Sequence, residues 1–310
     1  MVEVTGRSTR PAIRALWGRR ALPGRRARWA RWAAVPAAAC VLAAGACGTV
    51  GEVTPSIAGK DELVIGVHSD QPGLGLRIGD PEDGYDSYEG FDIVMAKEIA
   101  RNMKVPAANV TFRAITSAER EDLIASGDVD LVVGTYSITP ERKTEVKFAG
   151  PYYVAHQDIL VRKSNPASIR ELDDLAGAKL CSVPGSQSFK RVATEQSVPA
   201  MPVEAEGYSD CLDKLIAGEV TAVSTDDLIL AGLASKAART GDYMRLVNAP
   251  FSDERYGVGL RKDDVEGCEA VNEAITKMYQ DDTVRLQLNR WFGPTGLKLT
   301  TTVPQFEGCI

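Results

Sequence analysis

Residues 130–153 read DLVVGTYSITPERKTEVKFAGPYY, in which a short apolar run leads through small polar residues into a helix-like segment. Leu131, Val132 and Val133 form the continuous apolar run expected of a parallel strand that is covered on both faces. Gly134 then allows the backbone to turn away from the strand. A buried strand followed by a turn and a helix is the repeating unit of α/β proteins, so this stretch predicts parallel strands with flanking helices.

The turn and helix start within this stretch have the chemistry of an anion site. Thr135 and Ser137 place hydroxyl and N–H groups at the end of the strand. Thr139 is a candidate N-cap and Pro140 suits the first helical position, which puts Arg142 at about the third. Free N–H groups at a helix start and a guanidinium with two parallel donors together suit a carboxylate. The alternative is a capped surface helix with a solvated arginine.

Outward from this stretch, strand and helix patterns alternate with connections of crossover length. Strands are predicted at residues 63–67, 110–114, 130–133, 158–161, 179–183, 203–205, 222–224, 244–247 and 257–260. Helices are predicted at residues 91–102, 120–126, 169–175, 188–195, 210–217, 228–238, 266–281 and 284–292. Two similar halves of this kind indicate two lobes rather than one core.

Three motifs resemble those of a known family. The S/T-x-T/S-I-T-x-x-R element at residues 135–142, EGFDI at Glu89–Ile93 and DQPGLG at Asp70–Gly75 resemble the extracellular solute-binding proteins (family 3) of polar amino-acid ABC importers. The resemblance extends over about residues 62–303, and the DQPGLG run is most similar to actinobacterial glutamate-binding lipoproteins.

This resemblance implies an α/β fold of the two-lobed type II periplasmic-binding-protein class, in which each lobe has a mostly parallel sheet with flanking helices. Lobe 1 would comprise residues 61–154 and 256–305, and lobe 2 residues 158–250. The chain would cross between the lobes twice, near residues 154–157 and 250–256. Ligand capture in such a fold proceeds by hinge closure.

The resemblance also implies ligand contacts in both lobes. Thr135, Ser137 and Arg142 match the family element that holds the ligand's α-carboxylate. Asp226 matches the strand-end aspartate that binds the α-ammonium group, and Asp227 is expected to be its helix-capping neighbour. Two capping acids without a ligand role are the alternative for this pair.

A turn in lobe 2 adds backbone donors to this set. Gly185 and Ser186 belong to the VPGSQS segment between a strand and a helix, where backbone N–H groups can cradle an anion. Gln187 stands where the family has threonine, so a hydroxyl contact from that position is not expected.

The residue that recognises the ligand side chain is left open by the sequence. Arg120 and Arg77 could each offer a guanidinium to a side-chain carboxylate, although each taken alone is more typical of a surface ion-pair residue. Asp70 argues against an acidic ligand, because family members that bind basic amino acids need a carboxylate in this loop.

The N-terminal region predicts export and a lipid anchor. Residues 1–46 carry nine arginines against the single acid Glu3 and end in a weakly apolar stretch, which is typical of a signal peptide. AGAC at residues 44–47 resembles a lipobox with lipidation of Cys47, and Cys40 is a second candidate. Residues 47–60 would form a lipidated tether.

Charge and histidine content exclude two classes of partner. Removal of residues 1–46 leaves 27 Lys and Arg against 41 Asp and Glu, so nucleic acid is an improbable partner. The chain has two histidines, His68 and His156, which disfavours a metal site. We expect a monomer without cofactor that is attached to the cell membrane and meets an ABC permease there.

Four cysteines beyond the predicted tether indicate two disulfides in an oxidising compartment. The sequence allows three pairings of Cys181, Cys211, Cys268 and Cys309. The first two belong to one strand–helix unit and the last two flank the C-terminal helices. This favours 181–211 with 268–309, which is also the pattern that the resemblance implies.

These patterns favour a binding protein for an amino acid, with glutamate first and aspartate, glutamine or asparagine next. An enzyme like the cyclohexadienyl dehydratases, which share this fold, would need a cleft acid placed for proton transfer, and the sequence indicates none that lacks another role. A sensor subunit that reports ligand to a membrane partner is the third class.

Overall fold

The computed structural model describes residues 55–164 and 169–310. The predicted signal peptide (1–46), the predicted lipidation site Cys47 and the start of the predicted tether lie outside the described residues. Among the helices that are described, none combines the length and the apolar character needed to span a bilayer.

Strands and helices alternate over the described residues much as the sequence predicts. The strands are β1 (Leu63–Val67), β2 (Asp70–Gln71), β3 (Gly75–Arg77), β4 (Tyr88–Glu89), β5 (Val110–Ala114), β6 (Leu131–Val132), β7 (Lys147–Arg162), β8 (Lys179–Ser182), β9 (Met201–Glu204), β10 (Val223–Asp226), β11 (Met244–Leu246) and β12 (Ser252–Leu260). The helices are α1 (Phe91–Asn102), α2 (Arg120–Ser126), α3 (Arg142–Glu145), α4 (Ser188–Lys190), α5 (Tyr208–Ala217), α6 (Asp227–Arg239), α7 (Val265–Gln280) and α8 (Thr283–Phe292).

One central sheet holds most of the strands, in the order β10-β7-β12-β6-β1-β5, with β11 also paired to β7. β1 is parallel to β5 and β6, whereas β12 is antiparallel to β6. β8 and β9 form a separate parallel pair. The carboxyl ends of β1 and β6 therefore lie side by side, and the loops that follow them meet at one edge of the sheet, where open α/β sheets bind ligands.

The two predicted crossings form one antiparallel ribbon, which is called the hinge ribbon below. Residues 154–157 lie inside β7, and residues 252–256 of the second crossing lie in β12, with Gln157 opposite Ser252 and Tyr153 opposite Tyr256. The sequence predicted a strand only from residue 158, whereas β7 begins at Lys147. Pro151 lies within β7, and a proline normally argues against a central strand, which explains the late predicted start.

Lobe 1 and lobe 2 below denote the predicted ranges, which this ribbon joins within one compact unit.

Two predicted helices are shorter or less regular than expected. The segment predicted at 169–175 has a single 3₁₀ turn, Leu172–Leu175, and the one predicted at 188–195 begins as α4 and continues as a π-helical turn, Arg191–Glu195. Short isolated helices gain few hydrogen bonds for the cost of nucleation, so packing decides their final form.

Both predicted disulfides are confirmed. Cys181 in β8 is bonded to Cys211 in α5, and Cys268 in α7 is bonded to Cys309 near the C-terminus. The first bond therefore joins a strand to a helix, and the second joins α7 to the C-terminal segment.

The last residues of the predicted tether are packed against the body of the protein. Ile57 is buried, its backbone N–H donates to Asp264 Oδ2 at 2.9 Å, and Ser56 Oγ donates to Asp264 Oδ1 at 2.6 Å. Asp264 is also the N-cap of α7. The tether can therefore extend only to about Pro55, because a buried side chain holds the chain from Ser56 onward.

Candidate functional site

The turn after β6 is attached to the hinge ribbon. Gly257 N–H donates to Tyr136 O at 2.9 Å, and Ser137 forms a β-bridge with Tyr256 of β12. Arg142 begins α3, and its N–H donates to Thr139 Oγ1 at 3.2 Å. The helix thus starts slightly later than predicted, while Thr139 keeps the capping contact expected of it.

Two buried guanidinium groups lie side by side at this turn. Arg120 and Arg142 are 2% and 6% exposed, and their Cζ atoms lie 4.3 and 4.9 Å from the centre of the Tyr136 ring. Arg142 donates to Ser137 O at 2.7 Å, and Arg120 donates to Gly134 O at 3.3 Å. Backbone carbonyls and an aromatic face therefore hold both cations in place.

Positive charge at this turn is only partly compensated. Glu121 Oε1 lies 3.4 Å from Arg142 Nε and accepts a hydrogen bond from the Tyr136 hydroxyl at 2.6 Å. Burial, with the neighbouring charge of Arg142, lowers the pKa of Arg120 to about 10. Such a pair of like charges is stabilised by an anion between or beside them.

A loop of lobe 2 provides an acceptor that reaches both cations. The Gly185 carbonyl accepts from Arg142 Nη2 at 2.7 Å and from Arg120 Nη2 at 3.2 Å. Gly185 has φ +75°, and a Cβ atom there would lie 2.5 Å from the backbone of Ala118. Glycine is therefore required both by the backbone conformation and by the close approach of the two lobes.

The opposite wall of the cleft is acidic. Asp226 ends β10, is buried, and accepts a hydrogen bond from the Tyr256 hydroxyl at 2.7 Å. Burial and the nearby charge of Glu254 raise the pKa of Asp226 well above its usual range. Glu254 is itself buried and accepts from Arg191 Nε at 2.7 Å. Asp226 therefore offers a carboxylate that a cation in the cleft would stabilise.

Most of the predicted ligand residues line one cavity between these walls. Its volume is about 20 Å³, which is room for about one water molecule. The predicted residues that line it are Thr135, Ser137, Arg142, Arg120, Ser186 and Asp226. At this cavity the Gly185 carbonyl, from the range predicted as lobe 2, bridges the two arginines from the range predicted as lobe 1.

A larger cavity of about 310 Å³ lies next to the small one, since Ser117 and Tyr208 line both. Asp70 and Gln71 of the DQPGLG loop also line it. Gln71 Oε1 accepts from Thr135 Oγ1 at 3.2 Å, while its Nε2 is buried and finds no hydrogen-bond partner within residues 55–164 and 169–310. A donor of this kind beside the anion site suits an oxygen-bearing ligand.

Arg77 lies away from this cleft. It is exposed on β3, and its Nη2 donates to the Tyr88 hydroxyl at 2.8 Å. Arg77 lines neither of the two cavities described above. The structure therefore brings Arg120, and not Arg77, together with Arg142.

A buried carboxylate fixes the anion-binding turn from behind. Asp92 accepts from the Thr135 N–H at 2.9 Å and from the Tyr152 hydroxyl at 2.8 Å. Thr135 has φ +42°, an unusual conformation for a threonine, so this contact holds a strained position. Burial raises the pKa of Asp92 to about 6. Its role is structural, because it supports the turn directly.

Several residues of the site escaped the sequence analysis. Tyr136 lies between two predicted site residues and has the pattern of a core residue. The contact of its ring with the guanidiniums can be recognised only once the position of Arg120 is known. Gln157 and Tyr208 line the small cavity but lie in a predicted crossing and at a helix start, with no motif around them.

Over the described ranges, no cluster of three His, Cys, Asp or Glu side chains is arranged to hold a metal ion.

Comparisons with known proteins identify the family. The family model for bacterial extracellular solute-binding proteins, family 3, matches residues 63–294. The glutamate-binding protein GluB of Corynebacterium efficiens is 37% identical over 242 residues, which cover 74% of this chain and 79% of the relative. The ABC transporter glutamine-binding protein GlnH of Bacillus subtilis is 32% identical over 263 residues, covering 81% and 92%.

Solved structures share the fold. An ancestral arginine-binding protein bound to glutamine superposes with a TM-score of 0.66 at 32% identity, covering 76% of this chain and 99% of the other. The α/β fold of the periplasmic amino-acid-binding proteins, expected from the sequence motifs, is thereby confirmed.

Proposed function

Because the chain belongs to the bacterial extracellular solute-binding proteins of family 3, we propose that it binds a free α-amino acid between its two lobes and delivers it to an ABC permease. Its relatives bind glutamate and glutamine. The observation that carries the proposal is the meeting of two buried guanidiniums with a buried carboxylate at a single cavity.

The two walls of the cleft match the two charges of an amino acid. The α-carboxylate would take the place of the Gly185 carbonyl as the acceptor for Arg142, with the hydroxyls of Thr135 and Ser137 beside it. The α-ammonium group would lie against Asp226. Because the two groups belong to opposite walls, a ligand satisfies both only when the lobes are closed, and entry requires Gly185 to withdraw from the arginines.

Glutamate is the ligand that best complements the positive charge of Arg120, which remains once Arg142 is assigned to the α-carboxylate. Arg120 donates to backbone carbonyls from Ser117, Gly134 and Gly185. A side-chain carboxylate would give this second guanidinium an ionic partner, which a neutral amide cannot do. We rank aspartate, glutamine and asparagine after glutamate.

We propose that the protein works outside the cytoplasm as a lipid-anchored monomer. The arginine-rich residues 1–46 would direct export, and a lipid on Cys47 would hold the protein on the cell membrane beside its permease. Loss of membrane association in a Cys47→Ser variant, with ligand affinity unchanged, is the expected result.

We propose no catalytic activity for this cleft. Asp226 is the one carboxylate among the described residues that line the small cavity, and the proposal assigns it to the ligand's ammonium group, which leaves no further acid there to deliver a proton to a leaving group. Turnover of a cyclohexadienyl substrate by the purified protein would contradict this part of the proposal.

Calorimetry with glutamate, glutamine and arginine tests the proposed ligand. We expect glutamate to bind at least about tenfold more tightly than glutamine, because an amide would leave the buried Arg120 guanidinium without an ionic partner. Arg120→Ala should remove this preference, whereas Arg77→Ala, the exposed control, should retain it. Tightest binding of arginine would show that Asp70 or Glu206, which line the larger cavity, reads the side chain instead.

A further inference from the structure

A second contact between the lobes lies beside the ligand cleft. Asp70 of β2 accepts a hydrogen bond from the Ser209 N–H at its Oδ2 atom, at 3.2 Å. In return, Ser209 Oγ donates to the Asp70 backbone carbonyl at 2.6 Å. Ser209 belongs to the first turn of α5, so Asp70 in lobe 1 binds the helix start of an element in lobe 2.

Two glycines of lobe 2 allow the DQPG loop to come this close. A Cβ atom on Gly207 would lie 2.2 Å from Asp70 Oδ2, and one on Gly232 would lie 2.0 Å from the Pro72 carbonyl oxygen. Gly207 has φ −167°, which any residue can adopt, so space rather than conformation requires glycine there. Gly232 lies inside α6, where glycine costs about 1 kcal/mol relative to alanine. Close packing between the lobes accounts for both glycines.

Groups of lobe 2 offset part of the cost of burying the Asp70 carboxylate. Burial raises the pKa of Asp70, and the backbone N–H of Ser209 opposes this shift. A carboxylate at the first turn of a helix is also stabilised by the positive end of the helix dipole. The nearby cation Lys236 donates to Ser209 Oγ at 3.0 Å, which supports the same contact. One carboxylate oxygen of Asp70 is therefore already bound by the opposite lobe in the closed form.

We propose that Asp70 is a closure latch, a positioning residue that stabilises the closed form through Ser209 and does not read the ligand side chain. The inference rests on the proposed function, in which ligand binding and lobe closure are coupled. A contact present only in the closed form raises the affinity for every ligand by the same factor. The latch therefore acts on affinity and leaves selectivity unchanged.

Calorimetry on Asp70→Ala with glutamate, glutamine and arginine separates the latch from a specificity role. We expect Kd to rise roughly tenfold for each ligand that binds, the size expected for the loss of a charge-assisted hydrogen bond, with the ratios between ligands unchanged. A changed ratio, such as a selective loss of arginine binding, would overturn the proposal.

A double-mutant cycle with Gly207→Ala tests the geometry of the latch. The added methyl group should hinder closure when Asp70 is present and lower affinity for all ligands, but should cost little in the Asp70→Ala background. Additive effects of the two substitutions would contradict a direct contact. Thermal unfolding of each variant without ligand shows whether the fold is retained.

Small-angle X-ray scattering during a glutamate titration measures closure itself. The wild type and the Asp70→Ala variant should reach the same smaller radius of gyration at saturation, but the variant should need roughly tenfold more glutamate, because its closed form has lost a contact. If no amino acid bound to the wild type, the proposed function would fail, whereas equal midpoints for the two proteins would by themselves overturn the latch.

Discussion

The two walls of the cleft carry opposite charges and are built in different ways. On the lobe 1 wall, Arg120 and Arg142 lie against one tyrosine ring and are held by backbone carbonyls close in sequence. On the other wall, Asp226 is held by Tyr256 and lies near Glu254, both of which belong to the hinge strand β12. The cationic wall is thus a local structure, and the anionic wall is assembled by the hinge.

This difference suggests how closure and recognition are coupled. A buried like-charge pair and a buried carboxylate are each costly alone, because burial disfavours the charged form. In the proposed function, a zwitterionic ligand would lower both costs, but only with the two walls brought together. Such a ligand would stabilise the closed form by compensating both walls.

The largest effect is expected on the cationic wall. Arg142→Ala should weaken the binding of every amino acid by about 3–5 kcal/mol, since the variant removes one partner of a buried ion pair. This is a loss of roughly two to four decades in Kd by calorimetry. Near-normal affinity would refute the assignment of Arg142, and Arg77→Ala is the matched control on the surface.

A buried acid behind the cationic wall should make stability depend on pH. The pKa of Asp92 is raised to about 6 from its ordinary value of 3.8, so the folded protein binds this proton more tightly than the unfolded chain does. The buried charge of Asp92 lowers the free energy of unfolding by its full amount above pH 6. This destabilisation is lost as the pH falls towards 4. The free energy of unfolding of wild type relative to Asp92→Asn should therefore rise on acidification, by about 3 kcal/mol at most.

Denaturant titrations of wild type and Asp92→Asn at pH 4, 5, 6 and 7 measure this difference, because the other titrating groups contribute almost equally to both proteins. The groups that face Asp92 are the Thr135 N–H, the Tyr152 hydroxyl and, at longer range, Tyr256. A difference that does not change with pH would show that the pKa of Asp92 is ordinary.

A charge change on the anionic wall should have a smaller effect on binding than Arg142→Ala. Asp226→Asn keeps the shape of the side chain but replaces an ionic acceptor of the ligand's ammonium group by a neutral one. We expect affinity to fall by about 1.5–3 kcal/mol for all amino acids. Asp227→Asn, whose side chain lines neither cavity, is the matched control and should bind normally.

The smallest effect tests the dependence of the anionic wall on the hinge. Tyr256→Phe removes the hydroxyl that donates to Asp226 and leaves the packing of the ring intact. A loss of about 1 kcal/mol is expected, or roughly a fivefold rise in Kd for glutamate and glutamine alike. Tyr279→Phe, which removes a hydroxyl bonded to Tyr152 O, should have no effect on binding. An unequal effect on the two ligands would place the hydroxyl in the ligand pocket.

Parts of the site could be predicted because they follow from local patterns. Thr135, Ser137 and Arg142 lie within one strand–turn–helix unit, in which chain geometry places hydroxyls, N–H groups and a guanidinium together. The disulfide pairing could be predicted because Cys181 and Cys211 belong to one strand–helix unit and because the family resemblance implies the same pairing. Arg77 illustrates the limit, since the side of β3 on which its side chain lies depends on pairing with β2 and β4.

The sequence by itself determined the alternation of strands and helices, the family motifs, the strand–turn–helix unit that carries Arg142 and the positions of the four cysteines, because periodicity, capping and short spacing are local properties of the chain. Tertiary structure decided the rest. The hinge ribbon brings Gln157 within 3.5 Å of Glu254, 97 residues away in the chain, and closure of the lobes brings Gly185 onto both arginines and Ser209 onto Asp70. Contacts between distant segments depend on strand register and on how close two backbones can approach, and no local pattern encodes either.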